Sequence, residues 1–171
     1  MFCSLYISLL MDYLKHINNK IIPADYFKSK RGCFNNNRVV FTNGCFDILH
    51  LGHIDYLIKA RMLGDILIIG LNTDNSIRKL KGDKRPVNNQ NARALLLASL
   101  EFVDFVILFD EETPLELIQT ITPDVLVKGG DYKIETVVGA DFVLNYGGSV
   151  EIIPFLEGYS TTSIIQNLKN N

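Results

Sequence analysis

Five short apolar runs punctuate the chain: RVVFT at 38–42, DILIIGL at 65–71, DFVILF at 104–109, DVLVKG at 124–129 and VEIIPF at 150–155. Each is rich in β-branched or aromatic residues and largely continuous, the pattern of strands covered on both faces. Between them the spacing is helical. In HIDYLIKARML, Ile54, Leu57, Ile58 and Met62, with Arg61 beside them, fall on one face; in ARALLLASLEF, Leu95, Leu96, Ser99 and Leu100 do the same. Strand alternating with helix predicts an α/β fold: an open parallel five-stranded sheet with helices on both faces and right-handed crossovers. Ligands of such sheets bind outside the carboxyl ends of the strands. The residues there are polar: TNG, NTD, KGGDY and EGYSTT.

Residues 1–36 read as a short helical extension that meets the first strand at the Asn-rich stretch 35–37, and residues 37–171 as one domain. A helix around residues 4–17 could join an interface, cover a sheet edge or be disordered; the opening MFCSLYISLLM could also lie upstream of a start at Met11. That opening has no basic lead or small-residue cleavage site, and its apolar run is far short of the roughly 20 residues that cross a bilayer. No targeting segment or membrane partner is expected.

With 171 residues, 47% of them hydrophobic, the chain can bury one good core. A net charge of −2 and a pI near 5.9 argue against a general nucleic-acid or anionic-membrane binder and leave small molecules as the expected partners. Three cysteines without CxxC spacing indicate neither a disulfide framework nor a zinc knuckle, and fit a reducing cytoplasm.

The chain has three histidines, and two of them, His50 and His53, flank Gly52 just after the first strand, in FTNGCFDILHLGHIDYL. A helix beginning near Leu49 or His50 places both imidazoles on its first turn, beside unpaired backbone N–H groups at the positive end of its dipole. Gly44 permits the preceding turn, and Gly52 removes a side chain where a phosphate or ribose would approach. Capping or surface histidines are the plain alternative. A metal set of Cys45, Asp47, His50 and His53 matches no usual zinc pattern, so no metal site is expected. The loop RKLKGDKR carries Arg78, Lys79, Lys81, Lys84 and Arg85 against one Asp83; such runs are usually solvated surface, but a mobile basic loop could close over a polyanion.

TNGCFDILHLGHIDYL resembles the signature of the HxGH nucleotidyltransferases. Together with LNTDNSIRKLKGDKRPVN, LEFVDFVILFDEETPLELI, PDVLVKGGDY and GYSTTSII, it is similar in order and spacing to D-glycero-β-D-manno-heptose 1-phosphate adenylyltransferases, over residues 38–169. The resemblance implies a Rossmann-like domain in stand-alone form, a homodimer, and in-line attack of a sugar 1-phosphate on the α-phosphorus of ATP, giving ADP-heptose and pyrophosphate, with Mg²⁺ carried by ATP. It implies catalytic roles for His50, His53 and Lys81. Thr42, Asn43, Gly44, Phe46, Gly52, Asp74, Arg93, Gly129, Gly130, Asp131, Ser160, Thr161 and Thr162 would bind nucleotide, and Arg85 and Lys128 the acceptor.

Several of these residues have plainer readings: packing for Phe46, an exposed helix arginine for Arg93, a turn residue for Asp131 and an N-cap among Ser160 to Thr162. The alternative reaction is that of a cytidylyltransferase acting on glycerol 3-phosphate or a phosphorylated amino alcohol. Those relatives usually carry Arg-Thr-Glu-Gly before the hydroxyl motif, where this chain has Phe155, Leu156, Glu157 and Gly158. A non-catalytic nucleotide-binding module is the reading from a different class.

Overall fold

The structure, a computed structural model, describes residues 11–170, with side chains through residue 166. The five apolar runs are five strands: β1 (Val39–Gly44), β2 (Ile66–Asn72), β3 (Phe105–Phe109), β4 (Val125–Gly129) and β5 (Ser149–Ile153). They form one parallel sheet in the order β3-β2-β1-β4-β5. The last run stops short of its apolar end because Pro154 has no N–H to give the ladder.

Alternate residues of the strands feed two cores. Val40, Leu67, Ile69, Leu71, Val106, Val125 and Val127 lie on one side with α3 (Leu51–Arg61) and α5 (Gln90–Ala98). Val39, Phe41, Ile66, Ile68, Ile107, Leu126 and Val150 lie on the other with α2 (Ala24–Lys30), α6 (Leu115–Ile121) and α7 (Ala140–Asn145). A sheet sandwiched in this way leaves no polar face, which is why the runs are continuous.

The helix faces differ from the expected ones. On α3 the sheet is met by Gly52, Tyr56, Leu57 and Ala60, while Ile58 and Met62 are exposed. On α5 the buried set is Arg93, Ala94, Leu97 and Ala98, and Leu96 is exposed. In both helices a residue with a polar end has turned inward because that end finds partners in the protein, and its rotation displaces aliphatic neighbours to the surface.

Residues 11–18 form α1, and residues 4–10 of the expected amino-terminal helix lie outside the described residues. The free edge of β3 is covered by the segment that follows α1. Ile21 bridges Val106 in parallel, Ile22 N donates to Val106 O at 3.0 Å, and Val106 N donates to Lys20 O at 2.9 Å. Lys20 Nζ also donates to Val103 O at 2.8 Å. Phe27, fully buried, stacks on Phe34 at 5.5 Å and meets Phe105 edge-on. The segment before β1 therefore shares the domain's core.

The sheet order reverses direction between β1 and β4, the point where such folds open a crevice. β1 pairs with β2 from Val39 to Gly44, but with β4 only at Val40 and Phe41. Beyond Phe41 the two strands part. The Tyr56 hydroxyl enters the gap, sharing a 2.5 Å hydrogen bond with Thr42 Oγ1 and donating to Val127 O at 3.3 Å. Burial pushes the phenol far above its ordinary pKa, so it remains protonated. Replacing Tyr56 with Phe should strand the buried Thr42 hydroxyl and lower stability by about 1–3 kcal/mol, roughly 2–4 °C in Tm per kcal/mol. An unchanged thermal melt would show that the hydroxyl contributes nothing net.

Candidate active site

Three hollows lie across the carboxyl ends of the strands. The largest, about 520 Å³, is lined by Asn43, Gly44, Cys45 and Phe46 after β1, Asn72 after β2, Glu112 to Pro114 after β3, and Lys128 and Gly129 at β4, with His53, Lys81, Tyr132 and Phe155 closing it. A side hollow of about 190 Å³ shares Asn43, Pro114, Lys128 and Tyr132. The third, about 160 Å³, lies between His50, Gly52 and His53 on one side and Tyr159, Ser160 and Thr161 on the other. His53 and Phe155 belong to both the first and the third.

Chain geometry at the first turn fixes the histidines. Phe46 takes a left-handed φ of 43°, which folds its ring under Gly44 and against His53, 5.1 Å between ring centres. His50 is the extended N-cap residue of α3, and His53 lies one turn along. Their rings stack at 3.8 Å with 20° between planes. Neither Nδ1 has a protein partner, although both atoms are buried. Burial, then the neighbouring His50 and Lys81, lowers His53 to a pKa of about 4; burial also lowers His50. Both shifts favour the uncharged imidazole at neutral pH, and each ring keeps an unpartnered Nδ1.

Gly52 lines the third hollow and is also closely approached by the protein. A Cβ there would meet Tyr159 Cβ at 3.0 Å and His50 Nδ1 at 3.1 Å, so what approaches it is the protein itself. Gly129 and Gly130 likewise meet a side chain: Cβ atoms on them would lie 2.6 and 3.0 Å from the Phe155 ring.

Of the expected cationic groups, two face the cleft. Lys81, the last residue of α4 (Asp74–Lys81), lines it. Lys128 spans the parting of β1 and β4, donating to Asn43 Oδ1 at 3.3 Å, and burial pulls its pKa below the ordinary value. Arg85 and Arg93 are turned inward. Arg85 Nε donates to Asp47 Oδ2 at 2.6 Å, and the same carboxylate, 3% exposed as a residue, accepts from Val87 N at 2.7 Å and Asn88 N at 3.0 Å. Arg93, 1% exposed, donates to Cys45 O at 2.6 Å, Asn88 O at 3.0 Å and Asp74 Oδ1 at 2.7 Å. These arginines and Asp74 tie the basic loop to the histidine turn, each arginine paired with a carboxylate.

Thr42 is fully buried beside Tyr56, and Asp131 and Thr162 are exposed and line none of the three hollows. Ser160 Oγ accepts from Ser163 N at 3.0 Å, capping α8 (Thr161–Asn170), and also lines the third hollow, so its two readings coincide. Among the described residues no group of three or more His, Cys, Asp or Glu is placed to hold a metal ion, and no helix is long and apolar enough to cross a membrane. Asp47, Tyr56, Tyr132, Phe155 and Glu112 to Pro114 were not among the expected site residues. The last three follow a strand end, the position that marked the other sites.

A cytidylyltransferase-like family model matches residues 41–167. The chain is 61% identical over 130 residues to the bifunctional protein HldE of Syntrophotalea carbinolica, covering 76% of this chain and 26% of that protein. It is 53% identical over 160 residues to the HldE of Campylobacter jejuni subsp. doylei, covering 94% and 33%. It thus spans about a third or less of these relatives' length. Among solved structures, the lipopolysaccharide core biosynthesis protein of Thermoplasma volcanium is 31% identical, with a TM-score of 0.57 over 72% of this chain and 99% of that one. Pantoate-beta-alanine ligase of Francisella tularensis, at 18% identity and a TM-score of 0.59 over 87% of this chain and 76% of that one, shares the fold.

Because His53 binds its proton more weakly folded than unfolded, the unfolded chain takes up the extra proton as pH falls from 6.5 towards 4. Stability should therefore be lost across that window, and His53→Asn should remove part of the loss. Denaturant titrations at several pH values check this; parallel curves for parent and variant would contradict it.

Proposed function

The chain belongs to the cytidylyltransferase-like family, and from that premise we propose that it is an adenylyltransferase joining AMP from ATP to D-glycero-β-D-manno-heptose 1-phosphate, with release of pyrophosphate. The observation that carries the chemistry is the stacked His50–His53 pair with unpartnered Nδ1 atoms, at a helix start and, through His53, in the same cleft as Lys81. A helix N-terminus with hydrogen-bonding side chains suits a phosphate that gains charge in the transition state. The similarity to HldE proteins and to a lipopolysaccharide core biosynthesis protein supports the choice of sugar and a role in surface glycan assembly.

In this reading an oxygen of the sugar 1-phosphate attacks the α-phosphorus of ATP, and the bond from that phosphorus to the α,β-bridging oxygen breaks, its electron pair leaving with pyrophosphate. No covalent enzyme intermediate forms, so the protein contributes positioning and charge stabilisation. His50 and His53 donate to the α-phosphate oxygens. Lys81 meets the leaving pyrophosphate from the end of α4, and Lys128 holds the acceptor phosphate across the strand parting. Ser160 and the first turn of α8 supply further donors to nucleotide phosphates. The Asp47 carboxylate is already taken by Arg85, Val87 and Asn88, so magnesium in this reading comes in on the oxygens of ATP and water. A cytoplasmic location and a homodimeric state belong to the same proposal.

Pyrophosphate release should require Mg²⁺, ATP and heptose 1-phosphate. CTP with glycerol 3-phosphate as the productive pair would move the protein to the cytidylyltransferase alternative, and silence of every pair would leave a binding module. His50→Ala should lower kcat by about 10²–10³ while the fold is retained; a rate within twofold of the parent would remove that residue from the chemistry.

A further inference from the structure

Phe155 is an exposed aromatic ring in an unusual seat. It follows β5 by two residues, is 61% exposed, and rests the outer rim of its ring on bare backbone. Cε1 lies where a Cβ on Gly129 would come within 2.6 Å, and Cε2 where one on Gly130 would come within 3.0 Å. A Cβ on Gly129 would collide with the ring and one on Gly130 would crowd it, so the diglycine leaves room for the ring where it lies. Lone exposed apolar side chains are common on protein surfaces, so it is the place of this ring, and not its exposure, that bears on a purpose.

Its surroundings define the purpose. The uncovered surface of the ring lines both the large cleft, with Lys81 and Lys128, and the small hollow at Ser160 and Thr161, and His53 is the other residue common to the two. A nucleotide whose α-phosphate reaches the histidines therefore has this ring beside it. The polar groups nearby suit phosphates, whereas Phe155 offers no hydrogen bond and suits the face of an aromatic heterocycle. On the reading of the site given above, we infer that Phe155 is the stacking platform for the nucleobase, seated by the Gly129–Gly130 pair and set beside the histidines by the turn after β5. Stacking alone reads a π-face and not a base identity, so the platform serves affinity and placement rather than the choice between ATP and CTP.

Equilibrium binding of Mg·ATP and of inorganic tripolyphosphate to the parent, Phe155→Ala and Phe155→Tyr proteins separates the possibilities. Loss of a base stack should weaken ATP roughly 5- to 150-fold in the alanine variant, leave tripolyphosphate unchanged, and be reversed by tyrosine. Equal or tighter ATP binding by the alanine variant would show that the ring is idle or obstructs the base, and overturns the inference. So does a matching loss for tripolyphosphate, which would place the effect on the phosphates. A parent protein that binds no ATP overturns the proposed function itself, and this inference with it.

Discussion

The parting of β1 from β4 is the constraint on which the rest of the structure depends. In the order β3-β2-β1-β4-β5 the chain builds outward from β1 in one direction and returns to build in the other, so crossover helices leave the junction on opposite faces. Two register pairs hold β1 to β4, after which nothing in the ladder closes the gap. The protein fills its floor with the Tyr56 phenol and bridges its rim with the hydrogen bond from Lys128 to Asn43. The histidine turn, the diglycine and the α8 start surround that opening.

Much of the charge near the site is structural. Arg93 is buried against two carbonyls and the Asp74 carboxylate, and Asp47 is buried against Arg85 and two backbone N–H groups. Buried charges of this kind are tolerated when every donor and acceptor is met, and removing one partner is then costly. Their effect is geometric: loop 82–89 is fastened to the turn carrying Cys45 to Asp47, so Lys81 at the end of α4 is held facing His53.

The strands were legible because burial on both faces leaves an uninterrupted apolar signal, and the histidine pair because its position after a strand mattered more than its letters. The helix faces were not, since hydropathy ranks Ile58 and Leu96 above Tyr56 and Arg93, whereas the fold rewards the residues whose polar ends meet partners. The same blindness hid the carboxylates that pair with Arg85 and Arg93. A basic residue's sequence neighbours do not reveal the carboxylate that comes to it from elsewhere in the chain, as Asp47 comes to Arg85. Paired glycines gave a true signal of close approach at 129–130, where the Phe155 ring lies against them.

The stacking of the histidine pair also has an electrostatic consequence. Two protonated imidazoles at 3.8 Å would repel one another, and His50 is among the causes that lower His53. Burial lowers the pKa of both rings, and Lys81 adds to the lowering of His53 alone, so a second positive charge on the pair is disfavoured. An anion seated between the pair and Lys81 would act in the opposite sense, raising the proton affinity of both rings.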